Sequence, residues 1–377
     1  MRTRPNKHFT PENNWINDPN GLIFHDGQYH LFFQHNPFEN KWGHMSWGHA
    51  VSTDLINWKE LPVAIPEQSD HAIFSGSAVF DDANNRLVAI YTGHCEGNQS
   101  QYLSFSYDAG LTWSENLKVL DLNMVDFRDP KVFKYQDRWI MSVAKSKEFK
   151  VAFFESKDLI KWIHLSDFHS PEITDIYECP DLFQLGKKWV LIISTHPGGL
   201  YGGSGSRYLI GQFDGKEFIA ETKAEFLDYG PDYYAAVTFN NSSERISIGW
   251  MNNWLYANDR KLEIWNGSMS AARKLKIENG KLIQTIIGRT ENFHTDANEF
   301  EFKYSNGSLK FKRNNNQIFV DRSELWDSEI TTFLIPAAGP VTIKALFDAG
   351  SIELEVNGHM ATALINVGEE TPSFRPI

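Results

Sequence analysis

One repeated pattern constrains the fold of this chain more than any other feature. An apolar strand, a short polar turn and a second apolar strand recur five times, and the first strand of each unit ends on a phenylalanine. These phenylalanines lie 50 to 56 residues apart and are Phe24, Phe80, Phe133, Phe183 and Phe239. That period is typical of a propeller blade, which holds four short strands. The alternative is a stack of unclosed hairpins, which would leave exposed apolar edges that soluble proteins avoid.

A second repeat runs alongside the first. Residues 52–58 read Ser-Thr-Asp-Leu-Ile-Asn-Trp, residues 156–162 read Ser-Lys-Asp-Leu-Ile-Lys-Trp, and residues 106–113 are a variant of the same motif. Ser and Asp suit a turn, and Trp suits packing between blades. The two repeats together predict an all-β chain in which residues 1–290 form a five-bladed β-propeller.

The character of the sequence changes beyond Gly280. Segments 299–304, 341–347 and 352–356 alternate apolar and polar residues, and turn signals such as Asn306-Gly307 separate such segments. Period-2 strands with turns at this spacing predict a β-sandwich. We therefore expect a short C-terminal sandwich module at residues 295–377.

Charge and composition narrow the classes of partner. The net charge of −12 disfavours nucleic acid and anionic membrane as partners, and it is compatible with a neutral ligand such as a sugar. The two cysteines exclude a disulfide framework and a Cys-rich metal site. No apolar run reaches 18 residues, and the first residues lack the apolar core of a signal peptide. We expect a cytoplasmic protein, or an extracellular one if an export signal lies outside the printed sequence.

Three acidic residues occupy similar positions in the repeat. Asp18, Asp129 and Glu178 lie six, four and five residues before the closing phenylalanines of units one, three and four. If the first strands line a central channel, these carboxylates converge near one end of it. Convergent carboxylates drive their pKa values apart, so that one is ionised while another holds a proton. Glycoside hydrolysis needs such a pair, and a third carboxylate can stabilise the transition state.

Each acidic motif also has a structural interpretation. Residues 17–21, Asn-Asp-Pro-Asn-Gly, are ideal turn composition, and Arg128-Asp129 could be a structural ion pair. Glu178 carries little signal by itself. Their shared position in three repeats favours the catalytic interpretation for all three.

Seven motifs resemble a known family. Residues 15–21 (Trp-Ile-Asn-Asp-Pro-Asn-Gly), 127–130 (Phe-Arg-Asp-Pro) and 178–181 (Glu-Cys-Pro-Asp) resemble the three hallmark boxes of glycoside hydrolase family 32, which includes invertases, inulinases and levanases. Four further boxes are similar and lie at 8–11, 42–50, 74–78 and 249–254. The resemblance covers about residues 4–290, with the boxes in the family's order.

The resemblance implies a retaining β-fructosidase and a role for each acid. Asp18 would be the nucleophile that forms a covalent fructosyl intermediate, Glu178 the general acid and base, and Asp129 the stabiliser that binds fructose hydroxyls. The positions that match the family's fructose pocket are Asn17, Gln34, Trp42, Phe74, Ser75, Arg128 and Trp254. Core packing is the alternative for the two tryptophans.

The choice of substrate depends on two further stretches. The glycine-rich residues 196–206 and residues 228–235 resemble segments of exo-inulinases and levanases. We therefore expect release of terminal β-D-fructose from levan or inulin, and also from sucrose. The alternatives are an invertase acting mainly on sucrose, a transfructosylating relative, an inverting propeller enzyme for arabinan or xylan, and a sugar-binding propeller without activity.

No cofactor or metal is expected, because the proposed chemistry needs neither. His44, His49, His94 and His196 could be considered as ligands, but no helical His-Glu-x-x-His motif accompanies them. Polar packing is the better interpretation of these histidines. Cys179 adjoins the expected acid and is predicted to be a small buried residue.

Overall fold

The chain is nearly all-β. The computed structural model describes residues 3–260 and 264–377, and within them the only helical segment is a single 3₁₀ turn at Ser146–Glu148. The strands of the described residues form seven sheets. In the same part of the chain, no helix has the length and apolar composition that crossing a membrane requires.

Each of the first five sheets begins with one of the predicted hairpins, which confirms the five strand–turn–strand units. The first sheet contains β1 (Asn14–His25), β2 (Gln28–Asn36), β3 (Ser46–Ser52) and β4 (Lys59–Ile65). The second contains β5 (Ala72–Asp81), β6 (Arg86–Cys95), β7 (Asn98–Ser106) and β8 (Leu117–Met124). The third contains β9 (Phe127–Tyr135), β10 (Arg138–Lys145), β11 (Lys150–Ser156) and β12 (Ile163–Phe168). The next two contain β13 (Ile176–Leu185), β14 (Lys188–His196), β15 (Gly205–Phe213), β16 (Phe218–Ala220) and β17 (Glu225–Phe226); and β18 (Tyr234–Thr238), β19 (Ile246–Trp250), β21 (Arg273–Glu278) and β22 (Lys281–Ile286).

The second repeat forms turns before the last strand of a sheet, as predicted. Asp54 accepts hydrogen bonds from Ser52 Oγ and from the backbone N–H groups of Ile56 and Asn57. Asp158 makes the equivalent bonds in the third sheet. These local side-chain-to-backbone bonds fix the turn because Ser and Asp can replace a backbone acceptor.

The first five sheets form a closed ring. We call their first strands, β1, β5, β9, β13 and β18, the inner strands. Each inner strand contacts the next one along the chain, and β18 contacts β1. The short strand β20 (Trp265–Asn266) lies in the chain between β19 and β21 of the fifth sheet, but it pairs in parallel with β1 of the first sheet. Hydrogen bonds therefore join the two ends of the ring.

Hydrophobic packing fills the spaces between neighbouring sheets of the ring. One cluster joins the first and second sheets through Trp47 and Tyr91, and another joins the second and third through Val88 and Met141. Further clusters join the third to the fourth sheet, the fourth to the fifth, and the fifth to the first. Every sheet therefore buries both faces, which explains why the strands are rich in apolar residues on both sides.

The last two sheets belong to the C-terminal part of the chain and share one hydrophobic cluster between them. One contains β23 (Glu291–Thr295), β28 (Val341–Asp348), β29 (Ser351–Val356) and β30 (His359–Leu364); the other contains β24 (Glu299–Tyr304), β25 (Gly307–Asn314), β26 (Gln317–Asp321), β27 (Thr332–Pro336) and β31 (Ser373–Pro376). Their inward residues alternate with outward polar ones, as the sequence pattern predicts.

A buried ionic network joins these last sheets to the ring. Arg273 on β21 donates to Glu353 on β29, with nitrogen–oxygen distances of 3.1 and 2.6 Å, and lies 2.9 Å from Asp228. His8 bonds the other oxygen of Glu353 and also Asp348, at 2.9 Å each. Each buried charge has an opposite partner, which offsets the cost of removing it from water, and the network ties four separate segments of the chain together.

Candidate active site

Each inner strand carries a register irregularity near the same end. The shifts fall between Ile16 and Pro19 on β1 and between Ile73 and Gly76 on β5, and they recur on β9, β13 and β18. A bulge adds a residue to one strand and re-aims its side chains. All three candidate carboxylates lie at or next to these bulges.

Three of the bulges place a non-glycine residue in the left-handed region. The φ angles are +64° at Asp129, +47° at Cys179 and +51° at Ala235. Such values are uncommon for residues with a Cβ and often occur at functional sites. At two of these bulges, the carboxylate of Asp129 lies within hydrogen-bond distance of the backbone N–H of Cys179.

The three carboxylates converge around one thiol. Cys179 Sγ lies 3.7 Å from Asp18 Oδ2 and 3.7 Å from Asp129 Oδ2, and Glu178 is the preceding residue. Burial, followed by the charges of Asp129, Asp18 and Glu178, raises the pKa of the Cys179 thiol well above its usual value. The thiol is therefore neutral and fills the space between two acids as a small buried group.

The two carboxylate oxygens of Asp18 differ in their hydrogen bonding. Oδ2 accepts a hydrogen bond from Ser75 Oγ at 2.7 Å, whereas Oδ1 is buried and has no hydrogen-bond partner among the described residues. Burial and the charge of Glu178 raise the pKa of Asp18, and hydrogen bonds from Asn17 and Ser75 oppose that rise. Oδ1 therefore has unused hydrogen-bonding capacity inside the cluster.

Asp129 is fixed from two sides. Its backbone N–H donates to Thr92 Oγ1 at 3.0 Å, and its Oδ2 accepts from the backbone N–H of Cys179 at 2.9 Å. Burial raises the pKa of Asp129 to about 7; Arg128 opposes the rise, and the charges of Glu178 and Asp18 add to it. The cluster therefore retains protons near neutral pH.

Glu178 has a donor on each oxygen. Arg128 donates from Nε and Nη2 to Oε1, at 3.2 and 3.0 Å, and the Tyr234 hydroxyl donates to Oε2. Burial alone would lower the pKa of Arg128, but the charges of Glu178 and Asp129 outweigh it and raise that pKa above its usual value. Arg128 is itself oriented by Asp126 at 2.8 Å.

The remaining pocket candidates surround this cluster. Trp15 Nε1 donates to Asn17 Oδ1 at 2.7 Å, and Trp254 stacks on Trp15 with ring centroids 5.8 Å apart. On the other side, Phe74 contacts Trp42 edge-on at 5.9 Å. Trp42 is 44% exposed, so core packing does not account for it.

Gln34 is buried and donates to the backbone oxygen of Ile73, next to Phe74. Asn17, Ser75 and Arg128 thus interact with the carboxylates themselves. Gln34, Trp42, Phe74 and Trp254 are connected to the cluster only through neighbours in the described part of the chain. The structure brings all ten candidates to one end of the ring.

Sequence reasoning missed Tyr234. Its phenol is buried beside Glu178, and burial and that charge raise the pKa of Tyr234 well above its usual value. Tyr234 lies five residues before Phe239, the same offset that separates Glu178 from Phe183. The repeat could therefore have identified it. Gln99, which accepts from Arg128 at 3.3 Å, lies outside the inner strands and gave no such signal.

Three of the four histidines considered as metal ligands have other partners, whereas His196 Nδ1 is buried and has no hydrogen-bond partner among the described residues. His49 is hydrogen-bonded to His30 at 3.0 Å, and His44 to Glu67 at 3.0 Å. His94 stacks against Phe74, with ring centroids 4.4 Å apart. No group of three or more His, Cys, Asp or Glu side chains suited to a metal ion occurs within residues 3–260 and 264–377.

Known proteins are similar to this chain in sequence and in fold. The family profile described as "Glycosyl hydrolases family 32 N-terminal domain" matches residues 8–285. A levanase of Bacillus subtilis (strain 168) is 36% identical, with 93% of this chain and 64% of that protein covered. An extracellular exo-inulinase of Meyerozyma guilliermondii is 39% identical, with 73% and 59% covered.

Among solved structures, the crystal structure of exo-inulinase from Aspergillus awamori superposes with a TM-score of 0.90 at 29% identity, covering 99% of this chain and 95% of that one. The chain spans less than two thirds of the length of the two curated relatives. The match of the family profile over most of the chain establishes its membership: this protein belongs to glycosyl hydrolase family 32.

Proposed function

We propose that this chain is a retaining glycoside hydrolase that releases terminal β-D-fructose from fructans, and also from sucrose, through a covalent fructosyl intermediate. The observation that carries the proposal is the meeting of Asp18, Asp129 and Glu178 around Cys179, with one oxygen of Asp18 left free. A carboxylate pair flanking a scissile bond is the requirement of retaining hydrolysis.

The first step uses Asp18 and Glu178 together. The carboxylate of Asp18 attacks C2 of the fructosyl unit, the bond from C2 to the leaving oxygen breaks, and Glu178 gives its proton to that oxygen. In the second step Glu178 takes a proton from water, the resulting hydroxide attacks C2, and the bond between C2 and Asp18 breaks. Glu178 is thereby protonated again, as microscopic reversibility requires.

Two of the three acids have raised pKa values. Burial and the charges of neighbouring carboxylates raise the pKa of Asp18 and that of Asp129, so this pair retains protons at a higher pH than isolated carboxyl groups do. Donors on Asp18, from Asn17 and Ser75, favour its ionised form.

The fructose pocket is proposed to consist of Asn17, Gln34, Trp42, Phe74, Ser75, Arg128 and Trp254. Amides, a hydroxyl and a guanidinium can bond sugar hydroxyls, while the aromatic residues provide an apolar wall. Asp129 is assigned to the ring hydroxyls, where it stabilises the positive charge that develops in the transition state. Fructan or sucrose is the only partner proposed.

We further propose that the closed ring is a five-bladed β-propeller within residues 1–290 and that the last two sheets form a β-sandwich within residues 295–377. The ring of inner strands and the five clusters between neighbouring sheets support the first assignment. The shared cluster between the last two sheets supports the second.

We propose fructan rather than sucrose as the main substrate because the two relatives compared above are named levanase and exo-inulinase. The test is product analysis after separate incubation with sucrose, inulin and levan, using the parent, Glu178→Gln and a control, Glu148→Gln. Glu148 is an exposed carboxylate outside the cluster. We expect free fructose as the sole early product from fructans, lost in Glu178→Gln and kept in Glu148→Gln.

Other outcomes would redirect the proposal. Oligosaccharide ladders would indicate endo cleavage or transfer, and activity confined to sucrose would indicate an invertase. An inverted first-formed anomer in proton NMR would rule out Asp18 as nucleophile. No product from any of the three sugars would refute the proposal.

A further inference from the structure

The connection between β14 and β15 is a tight loop, residues 197–204, which we call the glycine loop. Within it the backbone N–H of Gly199 donates to Gly203 O at 3.1 Å, and that of Gly202 donates to Gly199 O at 3.2 Å. Gly203 has a φ of +66°, and a Cβ there would lie 2.0 Å from Asn253 Oδ1. The loop is thus compact and lies directly against residue 253.

One end of the glycine loop holds Trp254. The backbone N–H of Trp254 donates to Ser204 Oγ at 3.1 Å. Asn253 Oδ1 accepts from the backbone N–H groups of Ser204 and Leu255, at 3.2 and 3.0 Å. These bonds fix the backbone of the tryptophan that stacks on Trp15 in the pocket wall.

The other end of the glycine loop is attached to the C-terminal sheets. The Tyr201 hydroxyl donates to Leu334 O at 2.9 Å and accepts from Leu334 N–H at 2.7 Å. Its ring packs against the hydrophobic cluster of those sheets, near Phe333. Leu334 lies on β27, the end strand of its sheet, so one phenol satisfies both outward backbone groups of an edge residue.

We propose that Tyr201 is a positioning residue through which the C-terminal sheets hold Trp254 in the wall of the fructose pocket. Hydrogen bonds and the short loop backbone connect Leu334, Tyr201, Ser204 and Trp254 without a break. This inference rests on the proposed function, because the pocket role of Trp254 is assigned there. It gives the last two sheets a part in substrate binding although they contribute no residue to the pocket.

The test separates binding from chemistry. Tyr201→Phe keeps the ring and removes both hydrogen bonds. We expect the KM for inulin and sucrose to rise about 3- to 10-fold, the factor that one or two net hydrogen bonds produce. The kcat should stay within about twofold, because a wall contact binds substrate and transition state alike. A partly unfolded variant would instead lower the apparent kcat and leave KM unchanged.

Two further variants sharpen the result. Leu334→Pro removes one of the two hydrogen bonds, the one from the Leu334 N–H, on an edge strand that tolerates proline, and should raise KM by a smaller factor than Tyr201→Phe does. Tyr304→Phe is the matched control: its hydroxyl is buried in the same sheets without a hydrogen-bond partner in the described residues, and its KM should not change.

A double variant tests whether Tyr201 acts through Trp254. In a Trp254→Ala background, Tyr201→Phe should cause no additional rise in KM, because the two changes share one pathway. An unchanged KM in Tyr201→Phe, or an equal rise in both backgrounds, would overturn the inference while the parent remains active. A parent that releases no fructose would overturn the proposed function, and the inference with it.

Discussion

Because of His8, we expect this protein to lose stability as the pH becomes alkaline. Its side chain is fully buried between Asp348 and Glu353, and Ser351 lies 3.4 Å away. Burial alone would lower the pKa of His8, but the hydrogen bonds and charges of the two carboxylates outweigh it and raise that pKa from 6.5 to about 9. Arg273 lies on the far side of Glu353.

The size of the effect follows from the shift. A rise from 6.5 to about 9 corresponds to roughly 3 kcal/mol of free energy of unfolding, since one pKa unit is about 1.4 kcal/mol. Because the folded state holds the proton more tightly, this stabilisation is complete below pH 6.5 and disappears as the pH rises through about 9. Burial alone would raise the pKa of Glu353, but Arg273 and then His8 lower it to about 2. Because part of that shift comes from the His8 contact already counted, it is not added.

The assay is guanidinium unfolding followed by tryptophan fluorescence between pH 6 and 10. The parent should lose roughly 3 kcal/mol across this range. His8→Gln should be less stable at pH 6.5 by a similar amount and nearly insensitive to pH up to 9.5. A parent whose stability is flat between pH 6.5 and 9.5 would refute the reasoning, as would a His8→Gln variant that loses stability as steeply as the parent.

Three further predictions concern the site and its surroundings. Tyr234→Phe removes a hydrogen-bond donor from Glu178, the proposed acid, so kcat/KM should fall about 10-fold; an unchanged kcat/KM would contradict this. Iodoacetamide at pH 8 should modify the exposed Cys95 but not Cys179, because the Cys179 thiol is buried and has a raised pKa. Mass spectrometry that shows both cysteines labelled would contradict this. Gly203→Ala should lower the free energy of unfolding by about 2 kcal/mol or more, because the added Cβ would meet Asn253 Oδ1. Gly186→Ala is the control, since Gly186 has a similar φ but open space around it, and it should cost less. Equal losses of the two variants in denaturant unfolding would show that the contact with Asn253 is unimportant.

The sequence predicts the hairpins and the carboxylate cluster because both depend on local signals that recur. Apolar strands, turn residues and a closing phenylalanine can be recognised without knowing what lies beside them. Asp18, Asp129 and Glu178 were found through their place in the repeat. Their convergence required only that the first strands face a common centre.

Other features depend on contacts between distant segments and leave no local signal. The bulges at Asp129, Cys179 and Ala235 have positive φ without glycine, so composition does not reveal them. The donor from Tyr234 to Glu178 requires that neighbouring inner strands share a register. The attachment of Tyr201 to the last sheets joins residues more than a hundred positions apart.

The left-handed bulges have a consequence for engineering this protein. A residue with a Cβ in that region costs about 1 kcal/mol or more, and Asp129, Cys179 and Ala235 place such strain on three of the inner strands. Replacing Asp129 or Cys179 by glycine would relax the backbone and remove groups that the site uses. Attempts at thermostabilisation should therefore leave the inner strands alone and draw on the outer strands and turns, where stability can increase without loss of activity.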